Sequence, residues 1–252
     1  MEFHTFGDVN APAVVLIHGV LTPWQVWEPQ IAHFQAQYRV IVPALDAHIE
    51  EHPSRFASVQ DEARQIAEYL QAECGGKVFA VCGMSMGGLI ADCLYERGDT
   101  EIRHLVLDGA PLLRVPGIAV SWMTRNYLTI IRKVQQRDPK TLARFCRDFL
   151  PEKYLSSFLK FADTMEPDSV RAMLHSVFST VPQFCAVKPP ARILFLHGTK
   201  AAEKLSQKSA AAMQRAYPDM QIKAYPGKNH IEVLIYEPEV WLNDVSQFLA
   251  GC

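Results

Sequence analysis

One stretch of eleven residues limits what this chain can fold into. Residues 78–88 read Val-Phe-Ala-Val-Cys-Gly-Met-Ser-Met-Gly-Gly. The apolar run 78–82 predicts a fully buried strand. It leads into Gly83-Met84-Ser85-Met86-Gly87, a G-x-S-x-G pattern, and Gly88 follows. Leu89, Ile90, Ala91, Cys93 and Leu94 then recur at helical spacing. A strand, a tight turn and a helix therefore meet at a serine. A serine at that apex takes up an unfavourable backbone conformation. Glycines two positions either side let neighbouring chain pass close by, and the hydroxyl projects at a helix N-terminus. The plainer alternative is a glycine-rich turn with an incidental serine. The strand before it, the helix after it and the extra glycine favour a nucleophile at Ser85.

The rest of the chain repeats the alternation. Apolar strands are predicted over 13–17, 38–45, 104–107 and 192–196, with a short one at 221–225 and an edge strand at 2–6. Helices are predicted over 23–35, with Thr22 as N-cap and Pro23 in the first position, over 59–73, and over 239–249. Strands apolar throughout and alternating with helices indicate an α/β fold, a mostly parallel sheet with helices on both faces. Residues 46–55 are polar and read as a loop.

One segment breaks the pattern. Residues 112–187 contain no convincing strand, only helical patterns over 117–136, 139–149, 152–164 and 167–180, punctuated by prolines. The chain therefore divides into a core domain, 1–111 with 188–252, and an all-helical cap over 112–187. The cap holds 11 Lys/Arg against 6 Asp/Glu, which reads either as solvated helix faces or as a cationic lid that attracts anionic substrates. It also carries nine aromatic residues between Trp122 and Phe184; most are expected to pack the cap onto the core and a few to line a pocket.

Composition excludes several classes. The formal charge is −2 over 252 residues, and no basic block with interleaved aromatics suggests nucleic-acid binding. No apolar span is long enough for a membrane helix, and the first residues do not resemble a signal peptide. The six cysteines, at 74, 82, 93, 146, 185 and 252, show no C-x-x-C, as expected of a reduced cytoplasmic protein rather than a disulfide framework. His48 and His52 have the spacing of two metal ligands on a helix, but they lie in a polar loop without an H-E-x-x-H pattern, so neither a metal nor a cofactor is expected.

The His18-Gly19 loop, the 83–88 elbow, the helical insertion after Asp108 and the late Gly227-Lys228-Asn229-His230 together resemble a capped α/β-hydrolase of the esterase and lipase kind. The resemblance spans essentially the whole chain, and Trp27 and Asp46 agree with it. It implies an acyl-transfer site. Ser85 is the nucleophile, and His230, in the turn after the last strand, is the base. The backbone N–H groups of Val20 and Met86 form the oxyanion hole, with Leu21 as the neighbouring alternative to Val20. His18 shapes the oxyanion loop, and His197 is structural.

The acid departs from the family's pattern. Capped members mostly carry an aspartate soon after the strand matching 192–196, and here Ala201 and Ala202 occupy those positions. Asp108, ending the preceding strand, is the first choice for the acid. Glu203, one or two positions late, is the second; a dyad without an acid is the remaining alternative. The stake is large, because a histidine of uncontrolled tautomer costs a serine protease on the order of 10⁴ in turnover. The function implied is cleavage of a carboxylic ester or related small acyl compound with an apolar or aromatic portion. The alternatives are C–C bond, lactone or thioester hydrolysis on the same residues, or a slow hydrolase-like ligand receptor.

Overall fold

Strands β2 (Ala13–Ile17) and β3 (Arg39–Ala44) are buried at every position, as strands must be when helices cover both faces of a sheet. The computed structural model describes residues 1–50, 52–184 and 190–251. Five further strands complete one sheet: β1 (Glu2–Phe6), β4 (Lys77–Met84), β5 (Glu101–Asp108), β6 (Arg192–Gly198) and β7 (Gln221–Tyr225). Their order is β1-β3-β2-β4-β5-β6-β7; β1 is antiparallel to β3 and every other pair is parallel. The chain goes one way from β2 to β3 and the other way from β2 to β4, so a crevice opens at the C-terminal ends of β2 and β4. His18-Gly19 and Ser85 lie at that crevice.

Helices α2 (Val59–Cys74) and α3 (Met86–Arg97) pack together, and α3 lies on β4 and β5. The first helical segment, α1 (Glu28–Phe34), packs with the closing helix α10 (Pro238–Ala250), where Trp27 and Trp241 meet edge to face at 5.6 Å. Between β5 and β6 the chain forms α4 (Gly117–Gln135), α5 (Pro139–Asp148), α6 (Leu155–Thr164) and α7 (Pro167–Ser179). The core–cap boundary expected at 187/188 lies outside the described residues, as do Cys185 and Cys252. Two helices had no counterpart in the sequence reading: α8 (Lys204–Ala216) and the short α9 (Glu232–Tyr236). The sequence of α8 is rich in Lys, Gln, Ser and Ala, and only Ala210 and Met213 bury apolar side chains, so its stripe is faint.

The segment after Thr22 differs from the expected helix. Pro23 is extended, a 3₁₀ turn occupies Trp24–Trp27, and the α-helix starts at Glu28. Thr22 does not cap it. Its hydroxyl donates to the Gly19 carbonyl at 2.9 Å and accepts from the Gly19 N–H at 3.0 Å, closing the loop after β2. Among the described residues no helix is long and apolar enough to cross a membrane.

The glycines of the elbow are spatial necessities. A Cβ on Gly83 would sit 2.2 Å from the Gly87 carbonyl oxygen, and one on Gly87 would sit 2.2 Å from the carbonyl oxygen of Ile17 at the end of β2. Backbone cannot yield there as a side chain would, so Gly87→Ala should lower unfolding free energy by about 2 kcal/mol or more. Urea denaturation measures this, and an unchanged midpoint and slope would contradict the close approach of α3 to β2.

Candidate active site

Ser85 has φ 53° and ψ −120°, a conformation a non-glycine residue holds only under constraint. The constraints are visible. Its N–H donates to the Asp108 carbonyl at 2.7 Å, and its carbonyl accepts from Gly88 N–H at 3.0 Å and Leu89 N–H at 3.3 Å. The elbow is thus pinned to the end of β5 on one side and to the first turn of α3 on the other.

His230 arrives from the loop after β7. The Asn229 N–H donates to Glu232 at 2.8 Å, and Ile231 takes a left-handed conformation at φ 50°. The ring lies against Gly109, where a Cβ would come within 2.7 Å of His230 Cε1. His230 Nε2 is 2.9 Å from Ser85 Oγ, and Nδ1 is 2.7 Å from Glu203 Oε1. With a carboxyl oxygen at Nδ1, that nitrogen carries the proton, and the Nε2 lone pair accepts from the serine hydroxyl.

Glu203 therefore stands where the acid was sought, and Asp108, the first choice, does not. Its Oδ2 accepts from the Trp241 indole N–H at 3.0 Å, and its contribution to the site is the backbone carbonyl that holds Ser85. The physical reason lies in the turn after β6. Residues Ala201–Glu203 form a 3₁₀ turn, closed by the Glu203 N–H on the Lys200 carbonyl at 2.9 Å. This winds the chain back, so a residue late in sequence returns to the sheet edge. The Glu203 side chain is fully buried, and its second oxygen accepts from the Gly198 N–H at 3.0 Å. Burial is tolerable because both carboxyl oxygens are hydrogen-bonded.

Val20 lines the cavity beside Ser85, and Met86 opens α3. Among the described residues neither backbone N–H has an acceptor, whereas the Leu21 N–H donates to His48 Nε2 at 3.1 Å. Leu21, the alternative donor, is thereby occupied. His18 is buried, its Nδ1 on the Gly19 carbonyl at 3.0 Å and its Nε2 accepting from Leu45 N–H at 3.1 Å. Burial, with neighbouring His48 second, holds His18 well below the ordinary imidazole range. His197 Nδ1 bonds the Gly198 carbonyl at 2.8 Å.

A cavity of about 350 Å³ opens above Ser85 and His230, a volume suited to a small ligand. Tyr127, Phe145, Phe149 and Phe178 from the cap line it, while Phe158 and Phe161 are buried in packing. None of the cap's basic residues lines it. Arg137, Arg144, Arg147 and Arg171 pair with acidic residues of the cap itself, and Lys160 pairs with Glu50. Five of the cap's eleven basic residues are thus held in surface ion pairs, which agrees with solvated helix faces for those five. Sequence reasoning missed the closing role of Thr22, the packing of Gly109 against His230, and His48. Only Gly109 carried a signal, as a glycine directly after a strand-end aspartate.

The model of the alpha/beta hydrolase family matches residues 14–245, and the chain belongs to that family. It is 33% identical over 85 residues to 3-oxoadipate enol-lactonase 1 of Acinetobacter baylyi, a match covering 34% of this chain and 32% of the relative. It is 33% identical over 101 residues to pimeloyl-[acyl-carrier protein] methyl ester esterase of Aromatoleum aromaticum, covering 40% and 38%. The matches thus span about a third of those relatives. Among solved structures, an alpha/beta hydrolase family protein from Desulfitobacterium hafniense superposes with TM-score 0.77 at 20% identity, covering 98% of this chain and 100% of that one. A carboxylesterase from the thaumarchaeon Nitrososphaera gargenis gives TM-score 0.77 at 16% identity, covering 99% and 93%. At such identities these likenesses establish the fold.

Burial pushes the Asp108 carboxyl up to about 7, with Glu203 adding to the rise and His230 and the Trp241 hydrogen bond opposing it. A folded-state pKa above the unfolded one means that the folded state keeps its proton longer, so this group's contribution to stability falls as pH rises from about 4 to about 7. Asparagine imitates the protonated form and keeps an acceptor for Trp241. Asp108→Asn should therefore stabilise the protein by about 1–3 kcal/mol at pH 8 and by little at pH 4. Thermal melts at both values check this, and equal shifts at the two would contradict it.

Proposed function

We propose that the protein is a serine hydrolase that cleaves uncharged carboxylic esters through an acyl-enzyme on Ser85. The observation that carries this reading is the line from Glu203 through His230 to Ser85, with contacts of 2.7 Å and 2.9 Å. Ser85 Oγ attacks the ester carbonyl carbon as its proton passes to His230 Nε2. Negative charge gathers on the carbonyl oxygen, which the N–H groups of Val20 and Met86 receive. The carbon–oxygen bond to the alcohol breaks, and His230 returns the proton to the leaving oxygen. Water then attacks the acyl-enzyme by the same route, releasing the acid and restoring Ser85. Glu203 holds the imidazole with Nδ1 protonated and stabilises the imidazolium formed at each attack.

The cavity supports the choice of substrate. Among the described residues no Lys or Arg lines it, and its walls are mostly aromatic and aliphatic. A free carboxylate on the acyl chain would lose its hydration there without a cationic partner, at a cost of several kcal/mol. A p-nitrophenyl ester of an unbranched neutral acid should therefore show kcat/KM at least about 10²-fold above that of an equally long acyl chain ending in a carboxylate. Comparable values for the two would argue against the neutral-pocket reading. The contact between Glu203 and His230 supports turnover over the slow-receptor alternative, which rested on the want of an acid near its usual place.

Ser85→Ala should abolish both turnover and labelling by a fluorophosphonate. Glu203→Gln should lower kcat by about 10²–10⁴, while Asp108→Asn keeps it within about tenfold of the original. Steady-state kinetics of the three variants decide the assignment, and the reverse order for the two acids would overturn it.

A further inference from the structure

His48 belongs to no motif and lies outside the proposed triad, yet both its ring nitrogens are bonded and it is buried. Nδ1 donates to the Asp46 carbonyl at 3.0 Å, which fixes the tautomer and leaves the Nε2 lone pair to accept the Leu21 N–H at 3.1 Å. His18 makes the mirror-image link. It stands in the loop after β2 and accepts the N–H of Leu45 at the end of β3, while His48 stands after β3 and reaches back to the loop after β2. The two rings meet edge to face at 4.9 Å, and Phe161 of the cap closes over His48 at 5.0 Å. The segment so clasped contains Val20, whose N–H has no acceptor among the described residues, and Leu21, which holds the left-handed conformation at φ 57°. A leucine avoids that region unless its surroundings impose it.

We propose that His48 is a positioning residue for the oxyanion hole: by taking the Leu21 N–H it holds the turn in which the Val20 N–H, and not that of Leu21, serves as donor. This rests on the hydrolase reading above. An oxyanion donor contributes only when it stands ready at the place where charge develops, and loss of one commonly costs about 10²–10³ in kcat. The peptide groups of Val20 and Leu21 adjoin, so a turn released at Leu21 can rotate both N–H vectors. Substrate binding by the apolar walls does not depend on those vectors.

The test compares two replacements that lack an acceptor, His48→Phe and His48→Leu, with His48→Gln, which keeps one; having two of different shape guards against a folding failure. Active-site titration with fluorophosphonate sets the concentration of competent enzyme. With a neutral p-nitrophenyl ester, the acceptorless variants should lose about 10–10²-fold in kcat with KM within about threefold of the original. They should bind phenylboronic acid, whose tetrahedral adduct fills the oxyanion site, more weakly by the same factor. His48→Gln should recover most of both losses. A merely structural role would reduce the titre or the melting temperature and leave kcat per titrated site and boronate affinity unchanged, and that result would overturn the proposal. So would a failure of His48→Gln to recover either quantity. Turnover by Ser85→Ala would instead defeat the hydrolase reading itself, so the two failures are distinguishable.

Discussion

A fully buried carboxyl group with both oxygens engaged is the interaction on which the rest of this site depends. Glu203 accepts from Gly198 with one oxygen and from His230 with the other. A buried carboxyl short of either partner would be costly, and the fold therefore has reason to keep Gly198 and His230 where they are. A Cβ on Gly198 would fall 2.3 Å from the Lys228 carbonyl oxygen, so the loop bearing His230 lies directly on the end of β6. The position of the imidazole is in this sense a consequence of how the C-terminal ends of β6 and β7 pack.

The other half of the site depends on the switch in sheet order. Because β2 has β3 on one side and β4 on the other, the loop after β2 and the turn after β4 face each other across one crevice. Gly19 comes so close to Ser85 that a Cβ there would lie 3.2 Å from the serine Cβ. The crevice brings together the strained Ser85 and the N–H of Val20, and α3 begins with the N–H of Met86, neither of which has an acceptor among the described residues. The cap then supplies aromatic walls and no charge. The proposed reaction would take place at the sheet edge and the insertion would shape what reaches it, a separation common where loops vary on a fixed scaffold.

Much of this was legible in the sequence because it rests on local patterns. The elbow, β1, β2 and β7 and the four cap helices follow from periodicity and punctuation, and they fall close to the residues expected. What was not legible depends on how the chain folds back. Glu203 looked too late in sequence because spacing was read along an extended chain, while a single 3₁₀ turn shortens the path. Asp108 looked suitable because it ends a strand beside the site, but the indole of Trp241, 133 residues away, engages its carboxyl group. Thr22 has the composition of a helix cap and instead closes a loop on Gly19, three residues before it. Such choices between two chemically adequate partners are settled by tertiary packing alone.

In the proposed site Glu203, and not Asp108, governs the imidazole beside Ser85. The far-downfield proton resonance of the His230 Nδ1–H, assigned by its loss in His230→Ala, tests this directly, since a short hydrogen bond to a carboxyl group deshields that proton. The resonance should be present in the wild-type protein, persist in Asp108→Asn and disappear or move far upfield in Glu203→Gln. A resonance that survives Glu203→Gln and vanishes in Asp108→Asn would contradict it.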